Sequence, residues 1–493
     1  MAEYHPDLTG KDIANQCRTS FARRPAMICW LTQCDVGRVI SIDVLPDEAI
    51  LAIFDFYVDK APIQAWQSLV HVCRRWRSIV FGSPRRLNLR LNCTSRTPTR
   101  DTLDIWPALP ILIDDGFVLT EGVDNIVAAL ERSDRVCHIK LWGLCSPMVV
   151  YLAAKQVPFP ELTDLVLELY GGMMPVFPDS FLGGSTPRLK TLQLGRIPFP
   201  GLPKLLSSAP HLVDLHLLNI PYSGYISSEV MVTALSTLTS LGSLKLEFEF
   251  PRDHPDPASR HLTPTVLPAL KEFWFRGDNE YLEDLVTRID APRLNILYIT
   301  FFDQILSDTL QFTQFLNRTP KLKAFERARI AFDRNAAGAN LSSQTSGRRV
   351  LEVRIPCGEL NWQLLSLKRI FTLSLPPLST SKDLYISEMI DLEPYWLDTI
   401  DSTLWLELLH PFMAVKNLYI SEKVAPYVVP VLQELVGDST TEVLPILQNI
   451  FLENLQPSST VLEGVQQFVA TRQVTSRPIA VSFWDRHDTG FDD

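Results

Sequence analysis

Few residues in this chain have the spacing that chemistry demands. Cys29 and Cys34, the closest pair among eight cysteines, are separated by four residues and have no second pair or nearby histidines to complete a metal site. Thiols scattered in this way read as small buried hydrophobes in a reducing compartment. His211 and His216 stand five apart across a predicted strand, whose alternation sends them to opposite faces, so each reads as a single interior or surface histidine. Asp485, Asp488, Asp492 and Asp493 flank Arg486 and Gly490 without calcium-loop spacing and read as a solvated tail. No G-x-x-x-x-G-K-[ST], H-E-x-x-H or G-x-S-x-G occurs, which counts against a nucleotide-switched receptor, a zinc protease and a nucleophile-elbow hydrolase. With no nucleophile-base pair, metal or cofactor implied, the side chains that remain to be explained are hydrophobic ones.

The elements that position them begin after a leader. Residues 1–41 carry scattered Arg, Pro and Gly without periodicity and read as poorly ordered. Ile42-Asp43-Val44-Leu45-Pro46-Asp47-Glu48 then marks a helix start, with proline in the first turn and two carboxylates at the positive end of the dipole. The helix should run to about Val58. At 100° per residue Ile50, Leu51, Ile53, Phe54, Tyr57 and Val58 span roughly 160°, wider than an ordinary surface stripe. After the Asp59-Lys60-Ala61-Pro62 break, a second apolar helical pattern runs from Trp66 to Phe81 with a still wider arc. So small a unit buries too little of its own surface to enclose all these side chains, so it reads as a docking site for another chain or as a cap buried against the downstream body.

Leu45-Pro46-x-Glu48-x-Ile50-Leu51-x-Ile53-Phe54 followed by Leu69-Val70-x-Val72-Cys73-Arg74-x-Trp76-Arg77 resembles the F-box. The wider run through Val80-Phe81-Gly82-Ser83-Pro84 and Leu103-Asp104-Ile105-Trp106-Pro107 is similar to the F-box proteins of mushroom-forming fungi. The resemblance implies a three-helix motif over 42–85 that inserts against the Skp adaptor, and through it a cullin, in a Skp-cullin-F-box ubiquitin ligase. It implies adaptor contacts from Leu45, Pro46, Ile50, Leu51, Ile53, Phe54, Leu69, Val72, Cys73 and Trp76. The only basic run, Arg74, Arg75, Arg77, Arg85, Arg86 and Arg90, lacks interleaved aromatics and reads as a solvated or acid-paired face.

Downstream, L-x-x-L-x-L or its aliphatic equivalent recurs. Copies stand at Val136/Ile139/Leu141, Leu162/Leu165/Leu167, Leu189/Leu192/Leu194, Leu212/Leu215/Leu217, Leu241/Leu244/Leu246, Leu270/Phe273/Phe275 and Leu294/Leu297/Ile299. Others follow at Val350/Val353/Ile355, Val415/Leu418/Ile420 and Leu447/Ile450/Leu452, with weaker ones near Ala108, Leu322 and Ser381. Spacings of about 23 to about 34 residues approach those of leucine-rich repeats, ~20–29. One strand and one helix per copy predict an α/β leucine-rich-repeat-like solenoid with a curved parallel sheet over 86–470, then a tail over 471–493. Pro251–Pro264 and Asn335–Arg349 read as exposed insertions. The residue between the second and third leucine positions faces away from the core, and in the C-terminal half that column is rich in the side chains of binding hot spots: Trp274, Tyr298, Arg354, Tyr385, Tyr419 and Phe451. Either a protein target covers them or a loop or the tail does.

Hydrophobic residues at 46% and charged residues at 21% suit a chain with a large core, and a net charge of −10 disfavours nucleic acid and anionic membranes as partners. The apolar stretch at Met27–Leu31 is too short to span a bilayer. The expectation is a non-catalytic, cytoplasmic or nuclear substrate receptor, with the Skp adaptor on the helices and an unidentified protein target on the repeats. The alternative is a repeat scaffold or signalling protein acting outside a ligase.

Overall fold

The computed structural model describes residues 42–59, 65–116, 121–171, 175–251, 264–302, 309–323, 325–343, 349–375, 378–389, 402–434, 443–453, 459–474 and 477–484. The expected leader, the Cys29/Cys34 pair, the acidic tail residues and most of the Pro251–Pro264 insertion lie outside them. Two compact units divide the chain at Leu89/Arg90.

In the first unit a 3-10 turn, Ile42–Val44, precedes α1, Asp47–Asp59. The stretch expected as one helix from Trp66 to Phe81 is instead two: α2, Ala65–Val70, and α3, Arg74–Gly82. Cys73 makes the break. Its backbone is extended, and its Sγ accepts from the Trp76 amide at 3.4 Å, capping α3 where a continuous helix would need the residue inside.

Among the described residues the second unit is built on eighteen strands: β1 (Leu91–Cys93), β2 (Ile111–Asp115), β3 (Val136–Leu144), β4 (Asp164–Leu169), β5 (Thr191–Gly195), β6 (Asp214–Ile220), β7 (Ser243–Phe248), β8 (Thr265–Val266), β9 (Glu272–Gly277), β10 (Ile289–Asp290), β11 (Ile296–Phe301), β12 (Arg327–Phe332), β13 (Ala336–Ser342), β14 (Arg349–Pro356), β15 (Asp383–Glu388), β16 (Asn417–Ile420), β17 (Asn449–Glu453) and β18 (Ala480–Trp484). β8 and β10 form a separate short pair, and the other sixteen make one sheet in the order 1-2-3-4-5-6-7-9-11-14-13-12-15-16-17-18. All pairings in it are parallel except those of β13, which runs antiparallel to both neighbours. Helices connect most parallel neighbours, among them Leu202–Ser207 and Asn279–Arg288.

The recurring triplets are the core. Leu162, Leu189, Leu212, Leu241, Leu270 and Leu294 are fully buried, as are Leu165, Leu192, Leu215, Leu244, Phe273 and Leu297, and they pack in one cluster with the buried helix faces. Each such side chain contributes roughly 1.5–3 kcal/mol, so the columns outweigh any single polar contact in the unit. Register is locked at the start of several strands by a shared acceptor: the Lys190 and Thr191 amides both reach the Thr163 carbonyl, those of Val213 and Asp214 reach Lys190, and those of Gly242 and Ser243 reach Val213. Two residues past the third leucine position the chain turns through positive φ, at Gly143, Arg196 and Asn219.

Two expectations are corrected. The segment Asn335–Arg349, read as an exposed insertion, contains β13, whose seven residues are all buried. Its Ala-Ala-Gly-Ala run has the composition of a loop, but small side chains are what a strand wedged between β12 and β14 can accommodate. The stretch read as a tail also differs, since the helix Ser459–Val474 enters it and Ala480–Trp484 pair with β17 as the last strand.

Candidate functional site

In the first unit α1 is apolar on two sides. Ile50 and Phe54, one turn apart, are buried and meet the other helices; Phe54 packs edge-on against Trp76 at 4.7 Å between ring centroids. Ile53, Phe56 and Tyr57 form a second stripe that faces solvent, with Phe56 65% exposed. Val44, 74% exposed, and Val72, 58% exposed, add apolar surface at the first turn and at the α2–α3 corner. The apolar surface of α1 is thus two stripes, one turned into the unit itself and one exposed.

Of the ten residues expected to meet an adaptor, Pro46, Ile53 and Val72 are exposed, Leu45, Leu51, Cys73 and Trp76 are half-buried, and Ile50, Phe54 and Leu69 are interior. Arg75 fixes the entry to α1, donating to Asp47 Oδ1 at 2.6 and 3.0 Å and to the Leu45 carbonyl at 2.6 Å. With Arg86 3.6 Å from Asp55, part of the basic run is acid-paired. Sequence reasoning missed Phe56 as a site residue, because a residue on the far side of a helix carries no signal until the near side is known.

Residues 42–87 match the F-box-like family model. No curated protein matches the chain. Among solved structures, the leucine-rich-repeat-containing protein LegL7 from Legionella pneumophila is similar at 14% identity, over 77% of this chain and 97% of that one, with a TM-score of 0.27. A likeness that remote bears on nothing further. The helical unit is an F-box-like unit, and beyond it the chain forms a parallel-dominated α/β sheet with helices.

On the second unit the residues expected to hold a target lie on the sheet face opposite the leucine columns. Register runs Lys140–Val166–Gln193–His216–Lys245–Trp274–Tyr298 across adjacent strands, and Tyr385–Tyr419–Phe451 further on. Arg354 is the exception. Tyr298 faces Glu352, and Arg354 faces Thr300, two residues along. A shift of two preserves which side chains face the core, so the alternating run of β14 fits both registers in sequence and the neighbouring strand decides. Arg354 donates to Asp333 at 2.9 Å. Asn340 and Arg329, both buried, complete the row between Glu352 and Tyr385.

The aromatics fall into two groups. Trp274 and Tyr298 lie 3.9 Å apart, with the Lys245 ammonium 4.3 Å from the Trp274 ring, and both are half-exposed. Tyr385, Tyr419 and Phe451 stack nearly parallel at 4.2 and 4.5 Å, and Trp484 from β18 meets Tyr385 and Tyr419 edge-on at 6.0 and 5.5 Å. Only 6% of Tyr385 is exposed, and burial, reinforced by the neighbouring Tyr419, holds its phenol above the usual range. Beside this stack runs a polar ladder in which Asn449 donates to Asn417 and Asn417 to Asp383, each at 2.7 Å.

Toward β4–β7 the same face is polar. The His138 contact and the Thr163 hydroxyl hold the Asp164 carboxyl down to about 2, while burial and nearby Lys245 lower His216, 3.2 Å from the Ser243 hydroxyl, to about 4. Among the described residues no group of three metal-ligating side chains converges. At the strand ends, exposed Tyr222 and Phe250 stack at 5.9 Å, a pair that loop sequence without periodicity did not reveal.

Proposed function

We propose that the chain is the substrate-recognition subunit of a Skp-cullin-F-box ubiquitin ligase, of the type found in mushroom-forming fungi, working in the cytoplasm or nucleus. The F-box-like unit binds the Skp adaptor and, through it, a cullin. The repeat body holds a protein target. Catalysis belongs to other subunits, and this chain contributes proximity alone.

The observation that carries the reading is the outward stripe Ile53–Phe56–Tyr57, together with exposed Val44 and Val72, in the segment that matches the F-box-like model. Apolar surface displayed on so small a unit supports a protein partner. Three or four such side chains, each worth roughly 1.5–3 kcal/mol on burial, are enough to offset the cost of association. For the target, Trp274 and Tyr298 with Lys245 offer an accessible aromatic platform of the kind that dominates interfaces.

The test is affinity purification followed by mass spectrometry, comparing the unaltered chain with a Leu45→Ala/Pro46→Ala variant and with Ile53→Asp/Val72→Asp. Ligase subunits should disappear from both variants, and target candidates should remain. Retention of the same partners by all three chains, or absence of a cullin from the unaltered one, would refute the ligase assignment.

A further inference from the structure

The last strand of the sheet closes the aromatic stack and is itself thinly held. Among the described residues β18 pairs on one side only, with β17. The Ala480 amide donates to the Gln448 carbonyl at 2.9 Å, and by the alternation of a parallel ladder Ser482 and Trp484 also bond toward β17, leaving the Val481 and Phe483 amides on the free edge. Val481 and Phe483 stand opposite Ile450 and Leu452 and so prolong the core columns. Yet they are 39% and 60% exposed, whereas Ile450 and Leu452 are buried. Beyond its ladder with β17, the strand meets the sheet face through Trp484 against Tyr385 and Tyr419, and even there the buried indole N–H meets no acceptor among the described residues, which subtracts from what burial of the ring gains.

The surface beneath is complete without β18. The aromatic stack and the asparagine ladder are both built from β15, β16 and β17. None of these contacts uses a β18 residue, so a strand seated in its place would meet the same β17 edge beside the same aromatic row.

We propose that β18 is an exchangeable strand, and that the partner this surface takes is an extended polypeptide segment that replaces it, parallel to β17, with side chains in the order small, apolar, polar, apolar, tryptophan. The proposal deepens the target-receptor reading and rests on it. β18 is the occupant in the free chain, and its own side chains specify what a competing segment has to offer. In strand addition main-chain bonds provide affinity and alternate side chains provide selectivity. The fifth position dominates the selectivity, because its ring is the one that meets the stack.

The probe is a fluorescein-labelled peptide of residues 477–484, added to the full chain and followed by anisotropy. Trp484→Ala removes the ring from the resident strand, and Ser482→Pro removes a ladder bond; neither alters β15–β17. Both variants should bind the peptide roughly tenfold more tightly than the unaltered chain, and a peptide with alanine in place of its tryptophan should lose roughly tenfold. Tyr419→Ala added to either variant should cancel the gain. Hydrogen exchange on the unaltered chain should show the 480–484 amides opening roughly tenfold faster than those of 417–420. Equal peptide affinity in all chains, or equal protection of the two strands, would overturn the proposal. So would dimer formation by Ser482→Pro without peptide binding, which would make a second copy the occupant. Skp-adaptor capture is measured on the same preparations, so its loss with peptide binding intact faults the ligase assignment and leaves the strand exchange standing.

Discussion

Single residues separate what holds the molecule together from what it displays. Ile50 and Phe54 lie one turn apart on the inner side of α1, and truncating either to alanine should cost roughly 2–5 kcal/mol, read as a drop in the denaturant midpoint. Ile53 and Val72 are exposed, so Ile53→Asp and Val72→Asp should change stability by less than about 0.5 kcal/mol while abolishing capture of a Skp adaptor in a pull-down. On the sheet, His216 binds its proton less tightly folded than unfolded, because burial and Lys245 both oppose the charge. The unfolded chain therefore takes up the extra proton between pH 6.5 and about 4, and stability contributed by the neutral ring is complete above that window and lost as pH falls through it. The loss is on the order of 1–2 kcal/mol after screening at a partly exposed site, and His216→Gln should flatten that part of the stability–pH curve.

Elements were legible where burial repeats and illegible where it does not. The leucine triplets gave β4 to β7, β9 and β11 because one side chain in two must face the helices, and the same alternation gave the row ending in Trp274 and Tyr298. β13 escaped because alanines and glycine carry no contrast between faces; a strand in the middle of the sheet, flanked on both sides, needs none. Gly338 shows how tight that position is: a Cβ there would stand 3.1 Å from the Val353 carbonyl and press on the Met389 side chain. Gly338→Ala should thus cost roughly 1–3 kcal/mol, measured by thermal unfolding, and Gly338→Val more. The α2–α3 break was hidden for another reason, since Cys73 caps a helix with a thiol, a residue that sequence rules do not count among capping residues.

At the scale of the whole molecule, the proposed adaptor and target surfaces belong to different units of the chain, so their losses should be separable. Trp274→Ala together with Tyr298→Ala should weaken target retention by about 10-fold or more while leaving adaptor capture unchanged, and Ile53→Asp should do the reverse, both scored in the same affinity purification. Joint loss in either variant would mean that one surface depends on the other.

By itself the sequence determined which side chains are hydrophobic, how often they recur and that those between Val44 and Phe81 exceed what one short helical unit can cover. Those are properties of composition and period, and they survive any shift of register by two. Tertiary structure alone decided which stripe of α1 turns inward, that Arg354 pairs with Thr300's position and not with Tyr298's, that β13 runs antiparallel, and that Trp484 reaches back onto Tyr385 and Tyr419. Each of these depends on a neighbour distant in the chain, and local pattern is blind to neighbours.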